Sequence, residues 1–397
     1  MSSLPHVLSI SNGHGEDQVA SRIAAELLKL DMRVSALPIV GEGKAYQHLG
    51  IPLLGTTQVM PSGGFIYQDW RQFWRDIQGG LLGLTWRQLR WIGQMRRQVD
   101  LILAVGDIVP LLMAWQSQRP YAFVGTAKSD YYFRDEGGLY RRIPWLQPVS
   151  DYLPWERWLM SRPRCRGCFV RDALTAQPLQ ERHCPVWHLG NPMMDGLEPP
   201  TTWPLLGDCL DPARPALLLL PGSRPPEAYA NWRQMVAVVG ALDPTIQPFA
   251  AITPNLQPER LREMAQPLRI PLLTGRFAEC LHRAEVVLAM AGTATEQAVG
   301  LGKPVVTLPG LGPQFTAKFA EAQTRLLGSS IFLATPSTAA ATIQHLLTRL
   351  QSDPDFRPQR QAHGQRRMGS PGASQRIAQQ IQKMLSPSIS NQAGLGG

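Results

Sequence analysis

The sequence predicts an α/β protein built from two successive doubly wound parallel sheets. Short β-branched and aliphatic runs alternate with segments of helical period almost throughout the 397 residues. The alternation breaks once, at a proline- and glycine-rich stretch over 195–215, and then restarts. The length suits two domains of ordinary size. These observations divide the chain into a domain at 1–194, a linker at 195–215 and a second domain at 216–365. A C-terminal helix follows at 366–386, with return to the first domain left open, and then a flexible tail at 387–397.

The first array opens with a strand at Val7 to Ile10. Asn12, Gly13 and Gly15 supply turn chemistry, and Val19, Ala20, Ile23, Ala24, Leu27 and Leu28 then share one helical face. Asp17 stands where a helix start favours an acidic side chain. A dinucleotide fingerprint G-x-G-x-x-G would need a third glycine where Gln18 stands, and Glu16 and Asp17 repel a phosphate. The loop is better suited to handling a proton or hydroxyl groups, with His14, Glu16 and Asp17 as candidates. Strand-like runs follow at 101–105, 121–125, 167–172 (with Asp172 as a helix cap) and 186–190. The second array reads as a strand at 216–223, a helix at 226–242, strands at 247–252, 285–290 and 304–308, and helices at 336–351 and about 372–385.

The net charge is +9. Arg71 to Arg97 contains six arginines and one acid, Asp76, and eight of the eleven tryptophans lie between Trp70 and Trp158. Arginine mixed with tryptophan suits an anionic lipid surface. Trp70, Phe73, Trp74, Ile77 and Leu81 have helical spacing with Asp69 as cap. Thr85 and Gln88 suit a capping box for a second segment carrying Trp86, Leu89 and Ile92. Trp70, Trp74, Trp86 and Trp91 are therefore membrane-facing candidates, with a buried core as the alternative. No run approaches the roughly 20 apolar residues of a membrane span, and no signal-peptide pattern opens the chain. The expectation is a cytoplasmic protein, peripheral on the inner or plasma membrane. No nucleic-acid-binding signature appears. Cys165 and Cys168 form a C-x-x-C without a second pair, so no zinc site is expected.

The second array carries the sharper motifs. "LLPGSR" places Gly222, Ser223 and Arg224 after a buried strand, where backbone N–H groups and the guanidinium suit a phosphate. "AMAGTATEQ" repeats the arrangement with Gly292, Thr293, Ala294 and Thr295. Glu296, in that helix's first turn, either accepts from ribose hydroxyls or favours the helix dipole. "GPQFTAKFAEAQ" puts Gln314 at the next strand-to-helix junction.

"LLPGSR" followed by "GTATEQAVGLGKPVV" closely resembles the donor domain of the lipid-A-disaccharide synthase family, and "GNPMMD" (190–195) resembles its short motif before the crossover. That family comprises UDP-sugar glycosyltransferases of the GT-B fold, two Rossmann-like domains facing a central cleft. The resemblance implies that Gly222, Ser223, Arg224, Gly292, Thr293 and Ala294 meet the diphosphate, with Thr295 beside them. It also implies that Glu296 holds the ribose, that Gln314 meets the donor sugar, and that the uracil lies near Ile252 to Pro254. The "NGHGED" loop looks more like diacylglycerol glucosyltransferases, while Asp107 matches the synthase aspartate. Asn12, Gly13 and Gly15 fall on the acceptor side. His14 or Asp107 is the expected base, with Glu16 supporting.

The implied activity is an inverting, metal-independent hexosyl transfer from a GlcNAc-type or related UDP-sugar to a lipid. No cofactor is expected beyond the UDP-sugar co-substrate, and a homodimer is left open. The alternatives are a UDP-sugar 2-epimerase of the same fold and a non-catalytic UDP-sugar or lipid-headgroup binding protein.

Overall fold

The computed structural model describes residues 4–54, 98–140, 149–199, 201, 204–310, 312 and 315–386. They form two compact units. The predicted helices carrying Trp70, Trp74, Trp86 and Trp91, with Asp69, Thr85 and Gln88, lie outside the described residues, as do Gln314 and the 387–397 tail.

The first unit takes in 4–54, 98–130, 149–192 and 372–386. Its strands are β1 (His6–Ser11), β2 (Arg33–Pro38), β3 (Leu101–Gly106) and β4 (Tyr121–Gly125). The chain next forms a small hairpin, β5 (Arg134–Asp135) with β6 (Gly138–Leu139), which groups with the second unit. It then returns for β7 (Cys165–Phe169) and β8 (Val186–Trp187). The sheet is parallel throughout, ordered β2-β1-β3-β4-β7-β8. Its central strands are buried along their whole length, as expected for a sheet covered on both faces. Asp172 caps the helix Ala173–Gln180 by accepting from the Thr175 N–H at 2.8 Å.

The second unit contains β9 (Ala216–Leu220), β10 (Gln247–Ala251), β11 (Leu272–Leu273), β12 (Val286–Ala289), β13 (Val305–Thr307) and β14 (Ile331–Leu333). These too form a parallel sheet, ordered β11-β10-β9-β12-β13-β14. Its core centres on Trp232, fully buried, whose indole N–H donates to the Leu261 carbonyl at 2.9 Å. In each sheet the chain lays strands to one side of its first strand and then crosses to the other. Each sheet thus has a switch point, between β1 and β3 and between β9 and β12. At such points the loops diverge and leave a crevice at the carboxyl edge.

Two expected boundaries are corrected. Residues 195–215 are part of the second unit, not a linker: Leu197, Leu205, Leu206 and Leu210 are buried there. The Arg283 guanidinium ties the stretch down by donating to the carbonyls of Asp211 and Arg214. The segment 366–386 is not one helix. Residues 366–368 finish the helix Phe356–Met368 in the second unit, and the chain turns through Gly369 and Gly372, both at positive φ. The helix Ala373–Leu385 then packs Ile377, Ala378 and Ile381 onto the first unit.

Candidate functional site

In the first unit, β1 ends at Ser11, in register with Val105 of β3. Asn12 and Gly13 turn the chain into the helix His14–Lys29. Beside it, β3 ends at Gly106, and Asp107 caps the helix Ile108–Gln116, its carboxylate accepting from the Val109 N–H at 2.8 Å. Gly106 is at φ +130°, and a Cβ there would lie 2.1 Å from Asn12 Oδ1 and 3.1 Å from Glu16 Cγ. Only glycine lets the two turns approach this closely. The Asn12 side chain also hydrogen-bonds to Asp107, while its Oδ1 is buried without a hydrogen-bond partner. The Thr126 hydroxyl, just past β4, donates to Glu16 at a long 3.4 Å. Asn12, Glu16, Asp107 and Thr126 therefore come together at the switch point.

Burial pushes the Asp107 carboxyl up to about 6. The hydrogen bonds from Val109 and Asn12 oppose the shift, and the Glu16 and Glu156 charges add to it. Asp107 can therefore exchange a proton near neutral pH. His14, in contrast, is exposed at the first position of its helix, next to Gly15.

Asp17 differs from the expected helix-start acid. It is 3% exposed, and its carboxyl accepts from Ser11 Oγ at 2.6 Å. The Ser11 hydroxyl also bonds to the Tyr46 hydroxyl at 2.7 Å, which lies 3.2 Å from Ser9 Oγ. Burial, partly offset by the Ser11 hydrogen bond and reinforced by the Glu16 charge, pushes the Asp17 carboxyl up to about 7. The folded state thus holds its proton more tightly than the unfolded chain. The associated destabilisation is absent below the unfolded pKa, grows as pH rises toward 7, and is constant above. Asp17→Asn keeps an acceptor for Ser11 and should be the more stable protein at pH 8, by up to about 4 kcal/mol at roughly 1.4 kcal/mol per pKa unit. The difference should vanish near pH 4 in urea melts. A D17N protein equally destabilised at both pH values would contradict this account.

In the second unit, Leu220 of β9 pairs with Ala289 of β12, and the Met290 N–H donates to the Leu220 carbonyl at 2.9 Å. The turns that follow are therefore neighbours. Gly222 is at φ +95°, and a Cβ there would lie 3.2 Å from the Met290 carbonyl oxygen. The buried Asn231 amide spans both turns, donating to the carbonyls of Pro221 at 3.1 Å and Met290 at 3.4 Å. Ser223 is exposed and Arg224 half-buried beside them. Gly292 opens the helix Thr293–Gly300, with Thr293 exposed and Ala294 half-buried. Gln323 holds this turn from the neighbouring helix, donating to Ala291 at 3.1 Å and Gly292 at 3.3 Å.

Thr295 is wholly buried, and its hydroxyl donates to the Ala291 carbonyl at 2.7 Å, so it holds the turn. Glu296 is 9% exposed in the first turn of that helix. Glu227 accepts from the Phe315 N–H at 2.6 Å, anchoring the chain just beyond Gln314. The buried polar atoms Asn231 Oδ1, Gln323 Oε1 and, just beyond β10, Thr253 Oγ1 have no hydrogen-bond partner.

Sequence reasoning passed over Asn231, Gln323 and Thr126. The first two were visible as amides on otherwise apolar helix faces, next to Trp232 and near Ala320. Nothing local marked Thr126. A cavity of about 530 Å³, lined by Arg214, Val239, Asp243, Gln247, Leu268 and Pro271, opens at the amino-terminal edge of the second sheet. That edge is opposite the glycine turns, and it brings together none of the motif residues. Among the described residues no three His, Cys, Asp or Glu side chains are arranged to hold a metal ion.

No family model matches the chain. It is similar to lipid-A-disaccharide synthases. That of Thiobacillus denitrificans is 31% identical over 206 residues, covering 48% of this chain and 54% of the relative. That of Alkalilimnicola ehrlichii is 30% identical over 220 residues, covering 51% and 57%. The chain spans about half the length of these curated relatives.

Among solved structures, the calicheamicin glycosyltransferase CalG4 matches with a TM-score of 0.62 and 16% identity, over 98% of this chain and 100% of that one. A putative UDP-N-acetylglucosamine 2-epimerase from Listeria monocytogenes matches with 0.58 and 15%, over 96% of each. The UDP-GlcNAc 2-epimerase from Neisseria meningitidis, bound to UDP-GlcNAc, matches with 0.56 and 15%, over 95% and 100%. At these identities the likeness establishes the fold, the paired α/β architecture that GT-B glycosyltransferases share with the epimerases.

Proposed function

We propose that the chain transfers a hexosyl group from a UDP-sugar to a lipid hydroxyl, in the manner of the lipid-A-disaccharide synthases it is similar to. The observation that carries this reading is the pair of adjacent glycine turns at the β9/β12 switch point, joined by Asn231. Two strand-to-helix turns side by side, with the N-terminus of Thr293–Gly300 and Arg224 close in sequence, suit a diphosphate. In this reading Gly222, Ser223, Arg224, Gly292, Thr293 and Ala294 bind the diphosphate, Glu296 the ribose, Thr253 the uracil side and Gln314 the donor sugar.

In the first unit, Asp107 takes the proton of the acceptor hydroxyl, and Asn12 and Glu16 set its orientation and charge. The hydroxyl oxygen bonds to the anomeric carbon as the bond from that carbon to the phosphate oxygen breaks. The leaving electron pair remains on UDP. Arg224 and the helix N-terminus stabilise that charge without a metal. Attack opposite the leaving group inverts the anomeric centre. The protein then works as a peripheral enzyme on the cytoplasmic face of a membrane.

The epimerases among the structural matches favour one second reading, UDP-sugar 2-epimerisation. Purified protein incubated with a panel of UDP-sugars, with and without membrane lipid extract, separates the two by mass spectrometry. Free UDP and a new glycolipid only when lipid is present is the expected result. A 2-epimer formed without lipid would establish the second reading instead.

A further inference from the structure

The helices Ile108–Gln116 and Pro154–Met160 of the first unit pack together, with Trp115 against Trp158 edge-on at 5.5 Å between ring centroids. Their outer side is apolar where a water-facing surface would be polar. Trp155 is 56% exposed, Trp158 46%, Leu112 39% and Leu153 38%. The first helix carries no charged residue. The only acid on the second, Glu156, is 1% exposed and ion-paired with Lys128 at 2.5 Å. Arginines border the aromatic residues: Arg162 stacks on Trp158 at 4.3 Å, and Arg164 and Arg166 are exposed just beyond. Exposed indoles clustered with leucines are unusual on a soluble surface. Edged by guanidinium groups, with no exposed carboxylate on either helix, they match the headgroup layer of an anionic bilayer, where indoles settle at the interface and arginines meet phosphates.

We infer that this face docks the protein onto an anionic lipid surface, with Leu112, Leu153, Trp155 and Trp158 entering the interface and Arg162, Arg164 and Arg166 at the phosphates. It gives the membrane partner of the proposed function a definite place. The seat lies on helices distinct from the 70–97 arginine–tryptophan segment that composition alone singles out.

The test is co-sedimentation of the full chain with phosphatidylcholine vesicles and with vesicles of about one-third phosphatidylglycerol, without any sugar nucleotide. Wild type should partition to the anionic vesicles at least about tenfold more strongly than to the neutral ones, less so at high salt. Trp155→Ser with Trp158→Ser should lower that partition about tenfold or more, as should Arg164→Glu with Arg166→Glu. Trp155→Ser alone, at the more exposed position, should lower it measurably and keeps the test readable if the double variant fails to fold. Absent vesicle binding, or binding unchanged in the folded variants, overturns the inference. So does a wild-type dimer that the tryptophan variants convert to monomer, since the face would then join two copies. UDP binding, measured in parallel, should be unchanged in these variants, so failure of the docking face is distinguishable from failure of the proposed transfer.

Discussion

Asp107→Asn should lower kcat for sugar transfer by about 10³-fold while leaving UDP affinity within about twofold of wild type. The amide keeps the shape of the side chain and its capping oxygen for Val109, so the helix Ile108–Gln116 still starts where it did. What is lost is a group able to take a proton. Burial raises the Asp107 carboxyl to about 6, so its basic form is the minority species at pH 5 and predominates at pH 7. Wild-type kcat/KM should therefore rise across that interval and level off above it, and the variant's residual rate should lack that limb. His14→Ala is the companion measurement. Exposed at the start of its helix, His14 should be dispensable for most of the turnover. If His14→Ala carried the loss and Asp107→Asn did not, the base would be the histidine and not the aspartate.

Gly222→Ala should weaken UDP binding by about tenfold or more, equivalent to about 1.4 kcal/mol. The backbone at 222 is at φ +95°, outside the comfortable range of an L residue, and the added Cβ would press within 3.2 Å of the Met290 carbonyl. Left-handed backbone costs an L residue roughly 1–2 kcal/mol, which the chain escapes by rotating the turn away from β12. Such a rotation would separate the carbonyls of Pro221 and Met290 that Asn231 bridges. Isothermal titration with UDP, together with a thermal melt, reads both consequences. Gly240→Ala is the control, at φ −63° with its nearest contact at 3.6 Å, and should leave UDP binding unaltered. Equal UDP affinities for the 222 and 240 variants would remove the diphosphate from the β9/β12 turns.

Much of the fold was legible in the chain itself, because strands and helices announce themselves through local periodicity. The strand runs at 101–105 and 121–125 fall within or on β3 and β4, and the run at 216–223 starts with β9 but extends three residues past its end at Leu220. Three of the four edge strands, β2, β11 and β14, were harder to see than β8. β11 and β14 are two and three residues long, and β2 carries Arg33, Ser35 and Pro38, so neither alternation nor a continuous apolar run distinguishes them. The stretch at 195–215 resembles a linker by composition, yet it is held by leucines spaced too irregularly to register as an element. The glycine turns were visible as motifs. Their partners were not: Asn231 and Gln323 act across 59 and 31 to 32 residues of sequence.

By itself the sequence determined the alternation of strand, turn and helix, the chemical types at each strand end, and the restart that makes two sheets. Those are short-range properties of backbone preference and side-chain period. Tertiary structure alone decided that Asn231 bridges the turns after β9 and β12 and that Asp107 meets Asn12. It also decided that Asp17 is a buried proton-holding carboxyl and which unit each boundary segment joins. The physical reason is that strand order, burial and the resulting pKa shifts depend on groups far apart in the chain, whose distances no local pattern encodes.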